Sequence, residues 1–157
     1  MKKLPFLLLA LVAMMSCSAP KNNTQQGEAL LQIVNADGLS LAVYNHDSLS
    51  TYSGRGVQDL LMLTENEPER LNGAIVADKM VGKAAAALMV SGGVKEVYTN
   101  LIATPAREML QQAGVQVVAQ EEVPQILNRD RSGQCPIDSR LNEAESVDEC
   151  VAILRAM

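Results

Sequence analysis

The sequence predicts an α/β domain of three layers, α-β-α, with helices on both faces of a mixed sheet, and three observations carry that prediction. The first is the stretch N-G-A-I-V-A-D-K-M-V-G-K-A-A-A-A-L-M-V-S at 72–91, a short apolar run leading straight into an alanine-rich segment. Ala74-Ile75-Val76-Ala77 shows no polar alternation, the pattern of a strand covered on both faces, and Ala84 to Ala87 favour helix while adding little bulk. The second is a pair of β-prone runs, 29–35 (A-L-L-Q-I-V-N) and 39–45 (L-S-L-A-V-Y-N), on either side of Ala36-Asp37-Gly38, which reads as an antiparallel hairpin. The third is the alternation of strand and helix patterns from 72 to 119. Strands joined by helices run parallel, so the sheet is antiparallel at its N-terminal hairpin and parallel elsewhere.

Taken in order, a third extended piece covers 49–53 and is ended by Gly54-Arg55-Gly56. Val57, Leu60, Leu61 and Leu63 put a helix over 57–64, with Pro68 at the end of the turn that follows. In the central unit Asp78 fits as the N-cap of the alanine helix, its carboxylate accepting from unpaired N–H groups of the first turn. Gly82 in that turn costs about 1 kcal/mol relative to alanine, so the backbone must be bare there, for the sheet beneath or for a ligand above. Gly92-Gly93 stops the helix and 95–99 (K-E-V-Y-T) begins the next strand. Thr104 caps the following helix with Pro105 at its first position, Gly114 closes it, and 115–119 (V-Q-V-V-A) returns as a strand. Beyond it, 123–127 reads as one helical turn after Pro124 and 128–138 as a polar loop. Ser146 starts a last helix whose stripe is Val147, Val151 and Leu154, with Cys150 between them.

The chain has 157 residues. Residues 1–17 read as a targeting segment, with Lys2 and Lys3 ahead of an apolar core too short to span a bilayer comfortably. Met14-Met15-Ser16-Cys17 resembles the lipobox of bacterial lipoproteins, with Met14 where leucine is usual, which implies that Cys17 becomes lipidated. The alternative is an ordinary secretory signal with an incidental cysteine. Residues 18–27 (S-A-P-K-N-N-T-Q-Q-G) read as a flexible tether, and 28–157 as one domain. The expectation is an exported protein held at the cell envelope, facing the periplasm or the outside. Removing Lys2 and Lys3 takes the formal charge from −5 to −7, which argues against a nucleic-acid partner. With 3% aromatic residues and no tryptophan, stacking platforms for bases or sugars are scarce.

The strand and helix of V-Y-T-N-L-I-A-T-P-A-R-E-M-L-Q-Q-A-G-V, within 28–120, resemble the cytidine deaminases at the segment that carries their P-C-x-x-C zinc motif. The resemblance implies a deaminase-like fold, and its two cysteine positions fall at Ala103 and Ala106. Where that family carries H-A-E or C-A-E, this chain has G-K-A-A-A. Zinc deamination needs three His or Cys ligands and a glutamate that moves protons, so it is not expected, and neither a metal nor another cofactor is implied. The pair D-K-x-x-G-K-A-A-A and N-R-x5-C-P-I-D is also similar to a bacterial family of unknown function with this fold, which brings no reaction with it.

A phosphate loop at Gly82-Lys83 is excluded, because Ala77 stands where its first glycine belongs and Ala84 replaces the hydroxyl. Geometry suggests a site nonetheless, since ligands of open sheets sit beyond the carboxyl ends of parallel strands. Asp78, Lys79, Gly82 and Lys83 fall at one such end and Asn100, Thr104 and Arg107 at the next; Asn128, Arg129 and Cys135 join them if 128–138 folds back. That set fits a small anionic or nucleotide-like molecule, while the plain alternative is a set of solvated charges at helix starts. Cys135, followed by Pro136 at a helix start, is a candidate nucleophile, a disulfide partner of Cys150, or a structural thiol. The functions left open are binding of that small molecule, an enzyme dependent on Cys135, and a non-catalytic module that works by homo-oligomerisation.

Overall fold

The computed structural model describes residues 23–36 and 38–157. Residues 1–17, read above as a targeting segment ending at Cys17, and residues 18–22 lie outside the described residues. The elements run α1 (Asn23–Ala36), β1 (Leu41–Asn45), β2 (Ser48–Tyr52), α2 (Gln58–Asn66), α3 (Pro68–Leu71), β3 (Ile75–Val81), α4 (Lys83–Ser91), β4 (Glu96–Ala103), α5 (Thr104–Gln112), β5 (Gln116–Val123), α6 (Pro136–Ser139) and α7 (Val147–Arg155). No helix among the described residues is long and apolar enough to cross a membrane.

The strands form one mixed five-stranded sheet in the order β2-β1-β3-β4-β5. β1 pairs antiparallel with β2 and with β3, Leu41 lying opposite Asp78, while β3, β4 and β5 run parallel with Asp78, Thr99 and Ala119 in one row. Alternation along the central strands divides the core. Ala42, Ile75, Ala77 and Tyr98 meet α1 on one face. Leu41, Val43, Val76 and Val97 join the larger core of α2, α4, α5 and α7 on the other. Helix α4 packs against α5 and α7, and its alanines at 84–87 are all buried, so small side chains let it lie close to both.

Three expectations need correction. The run at 29–35 belongs to helix α1 and not to a strand, and since α1 starts at Asn23, residues 23–27 of the stretch read as a tether are helical too. Its buried residues, Gly27, Leu30, Leu31 and Val34, follow the i, i+3, i+4, i+7 stripe of a helix lying on a sheet. The hairpin is instead β1–β2, turning at His46 and Asp47, which both take positive φ (46° and 57°) as the tight turns matched to strand twist require. Asp37 lies outside the described residues. Finally, 123–127 makes no helical turn: Leu127 bridges Gln134, and Cys135 N–H donates to the Ile126 carbonyl at 2.8 Å, so 126–135 doubles back as a small open hairpin.

Candidate functional site

A cavity of about 1100 Å³ opens beyond the carboxyl end of β3. Its walls come from the turn before α2 (Arg55, Gly56, Val57), the end of β3 (Asp78, Lys79, Met80, Gly82) and the returning loop (Ile126, Asn128, Arg129, Asp130, Cys135), with Ile137, Asp138 and Leu154 behind. Of the residues singled out from sequence, Asp78, Lys79, Gly82, Asn128, Arg129 and Cys135 therefore share one hollow.

The other four do not line it, each for a visible reason. The Lys83 ammonium donates to the carbonyls of Leu141 (2.7 Å) and Ala144 (2.8 Å), on a separate hollow of about 410 Å³ beside Pro105 and Ser146. Asn100 exchanges amide hydrogen bonds with Asn35 of α1, at 2.7 and 3.1 Å. The Thr104 hydroxyl donates to Glu122 Oε1 at 2.9 Å and does not cap α5, whose first turn has no side-chain cap. Arg107 Nε lies 2.7 Å from Glu122 Oε2, so one carboxylate on β5 occupies both residues.

The expected capping role of Asp78 is also displaced. Because β3 continues to Val81, Asp78 is a strand residue, half-buried, with Oδ1 accepting from the Met80 N–H at 3.0 Å. The cap of α4 comes from Asp138, buried at 5% exposure, whose Oδ1 accepts from Ala84 N–H at 3.0 Å from 54 positions along the chain. This explains the bare backbone at Gly82, since a Cβ there would stand 2.1 Å from Asp138 Oδ2. Lys83 closes the contact in the other direction by reaching the carbonyls that follow α6. Asp138 was inside the C-P-I-D motif and missed as a site residue, because nothing local links it to α4. Arg55, also missed, stands between two glycines that set off the turn before α2.

These two carboxyls differ in what they have left to offer. Burial pushes Asp138 above the usual carboxylate range, against the opposing pull of the Ala84 and Lys83 N–H groups and the Lys83 ammonium. Burial, countered by the Met80 N–H and reinforced by the charge of Asp59, pushes Asp78 up to about 7. Asn128 turns both ends of its amide on its own loop, donating to Ser132 Oγ at 3.0 Å and accepting from Gly133 N–H at 3.2 Å. Asp130 does likewise: hydrogen bonds from Ser132 hold its carboxyl below the usual range. Cys135 and Cys150 are free thiols, so the disulfide alternative does not hold. Cys150 is buried, and burial pushes its thiol up.

Residues 29–157 match the family described as "TM1506: Domain of unknown function (DUF1893)". The chain belongs to this family. A solved structure of a DUF1893 family protein (TM1506) from Thermotoga maritima is similar throughout, with a TM-score of 0.76 at 25% identity, covering 88% of this chain and 92% of that one. No curated protein matches. In this DUF1893 domain the two motifs that run through the site thus divide their labour. Gly82, Lys83 and Asp138 join α4 to the segment after the loop, whereas Asp78 and Lys79 stand at the cavity wall. Chemically, the hollow offers a half-buried carboxyl, a thiol and exposed cations on a largely apolar lining.

Proposed function

We propose that this DUF1893 protein is an exported domain, lipid-anchored through Cys17 at the cell envelope, that binds a small nucleotide-like or other anionic molecule in the cavity beside Asp78. The observation that carries the reading is the make-up of that cavity: Asp78 at its wall, Arg55, Lys79 and Arg129 around it, and the apolar flanks of Val57, Leu61, Ile137 and Leu154. Arg55 and Arg129 are exposed, and neither forms an ion pair among the described residues. A molecule with a flat body and a charged tail matches apolar walls with cations beside them.

The finer fold assignment, deaminase-like without the zinc chemistry, belongs to the same proposal. What supports it is that α4 and α5 pack side by side after parallel strands β3 and β4, with buried Ala103 and Ala106 where that family has its cysteines.

A thermal-shift screen with nucleoside monophosphates and sugar phosphates tests the binding. A ligand at a hundred times its Kd stabilises by about 2.7 kcal/mol, a shift of several degrees. Arg129→Ala and Lys79→Ala should shrink that shift while Arg107→Ala, away from the cavity, leaves it intact. The reading is lost if no compound stabilises the protein, or if all three variants respond like wild type. Incorporation of labelled palmitate that disappears in Cys17→Ser tests the anchor. A second reading, catalysis by Cys135, is favoured by one observation, its place in the same cavity as a carboxyl pushed up to about 7. It requires that Cys135 label with iodoacetamide at neutral pH much faster than a free thiol, and it is lost if Cys135 is inert.

A further inference from the structure

Resting on that binding reading, we infer that the anionic molecule is an amphiphile, with a single alkyl or acyl chain laid along the apolar walls of the cavity and a charged head met by Arg55, Lys79 and Arg129. Apolar side chains crowd the opening. Five large hydrophobic residues stand exposed among the described residues, and three of them, Met80 at 48%, Leu127 at 44% and Met157 at 56%, border this one cavity. Exposed hydrophobics scattered singly need no explanation, but a group of them at one opening marks a surface that an apolar molecule covers. Behind them the buried or half-buried Leu61, Ile126, Ile137 and Leu154 continue the apolar surface inward. Two of the three residues at the opening are methionines, whose unbranched side chains adapt to a flexible chain.

The walls favour a chain over a ring. No aromatic side chain lines the cavity among the described residues, so a planar base finds no ring to stack on. The volume of about 1100 Å³ also exceeds the range of about 300–1,000 Å³ usual for small-ligand pockets, which leaves room for an extended chain. Charge decides the head. Arg55, Lys79 and Arg129 form no ion pair among the described residues, whereas Asp138 is spent on Ala84 N–H and burial pushes Asp78 up to about 7. One exposed carboxylate, Asp130, therefore stands against three cations, a local excess of positive charge in a chain whose net charge is −5. Guanidinium groups match the oxygens of a phosphate or carboxylate head. The small phosphates of the thermal-shift screen engage this head end alone and so bind more weakly than the amphiphile.

The test is calorimetric titration of the full chain with decyl phosphate, ethyl phosphate, adenosine monophosphate and decyltrimethylammonium, each below its micelle-forming concentration, beside binding to phosphatidylglycerol vesicles. Every chain compared carries the same N-terminal segment, so differences between variants report the cavity. Decyl phosphate should bind once per chain and raise the unfolding temperature. It should bind at least about a hundredfold more tightly than ethyl phosphate, because the added methylenes leave water, and at least about tenfold more tightly than the cationic amphiphile. Met80→Asn with Leu127→Asn, both at exposed positions, should weaken decyl phosphate by about tenfold and leave ethyl phosphate unchanged, while Arg55→Ala with Arg129→Ala should weaken both. Equal affinity for the two alkyl phosphates, or adenosine monophosphate bound more tightly than decyl phosphate, overturns this inference and leaves the binding reading standing. Equal binding of the cationic amphiphile overturns it as well, and so does decyl phosphate that lowers the unfolding temperature, which is detergent action. Vesicle binding that falls in the Met80→Asn, Leu127→Asn chain, with no decyl phosphate bound, overturns it in favour of a membrane-facing patch. If no phosphate binds wild type at all, the binding reading itself is lost and this inference with it.

Discussion

At the scale of the residue, the contact between Gly82 and Asp138 joins two distant stretches of chain through one carboxylate, and its energetics can be separated. Asp138→Ala removes the cap of α4 and leaves Ala84 N–H unpaired, which should cost about 1–3 kcal/mol in urea unfolding. Gly82→Ala drives a methyl group into Asp138 Oδ2 and should cost at least about 2 kcal/mol. With the carboxylate gone the methyl group has less to strike, so the double variant should lose clearly less than the two single losses added together. Asp78 makes a prediction of opposite sign. Its folded carboxyl titrates at about 7 and its unfolded one near the usual 3.8, so the folded state holds the proton more tightly. The stability that this proton confers is complete below about pH 4 and is lost as pH rises to about 7. Asp78→Asn should therefore match wild type near pH 4 and be the more stable by about 1–2 kcal/mol at pH 8, as urea titrations at both pH values will show.

At the scale of the element, α1 covers one face of the sheet with a short apolar stripe, and its fit depends on Gly27. A Cβ at that position would lie 2.0 Å from the Tyr98 ring, which is buried at 1% exposure. The ring cannot swing aside freely, because its hydroxyl donates to Glu96 Oε2 at 3.1 Å and the other oxygen of Glu96 accepts from Asn23 at 2.8 Å. Burial, then the neighbouring Glu96, push the Tyr98 hydroxyl up, as expected of a phenol held against a carboxylate. Gly27→Val should thus lift α1 from the sheet at a cost of about 2–4 kcal/mol. Hydrogen exchange should show lost protection in α1 while β3 and α4, joined to the larger core, keep theirs.

At the scale of the whole molecule, the cavity is formed by segments far apart in sequence that meet only at the end of β3, so ligand binding should leave a discontinuous footprint. Nucleotide monophosphate should slow amide exchange at 54–57, 78–80 and 126–135 together, with no change at Asn100 or Arg107 on other parts of the surface. The order of the central elements, β3 into α4, β4 into α5 and then β5, could be read from the chain because each depends on periodicity and punctuation within a few residues, such as the alanines of α4 and Gly92-Gly93. Ser146 as the start of α7 was legible for the same reason, its hydroxyl accepting from Glu149 N–H three residues on. The helical stripe of α1 was present as well, but recognising it required including Gly27, a residue whose burial comes from a ring on another element. By itself, then, the sequence determined a layered α/β domain with polar and charged residues gathered at the strand ends. Only the tertiary structure decided that Asp138 and not Asp78 caps α4, that Lys83 turns to the carbonyls of Leu141 and Ala144, and that Glu122 takes up Thr104 and Arg107. Each of those partnerships spans a stretch of chain longer than any local pattern, and the partner goes to whichever group the packed elements bring within hydrogen-bond reach.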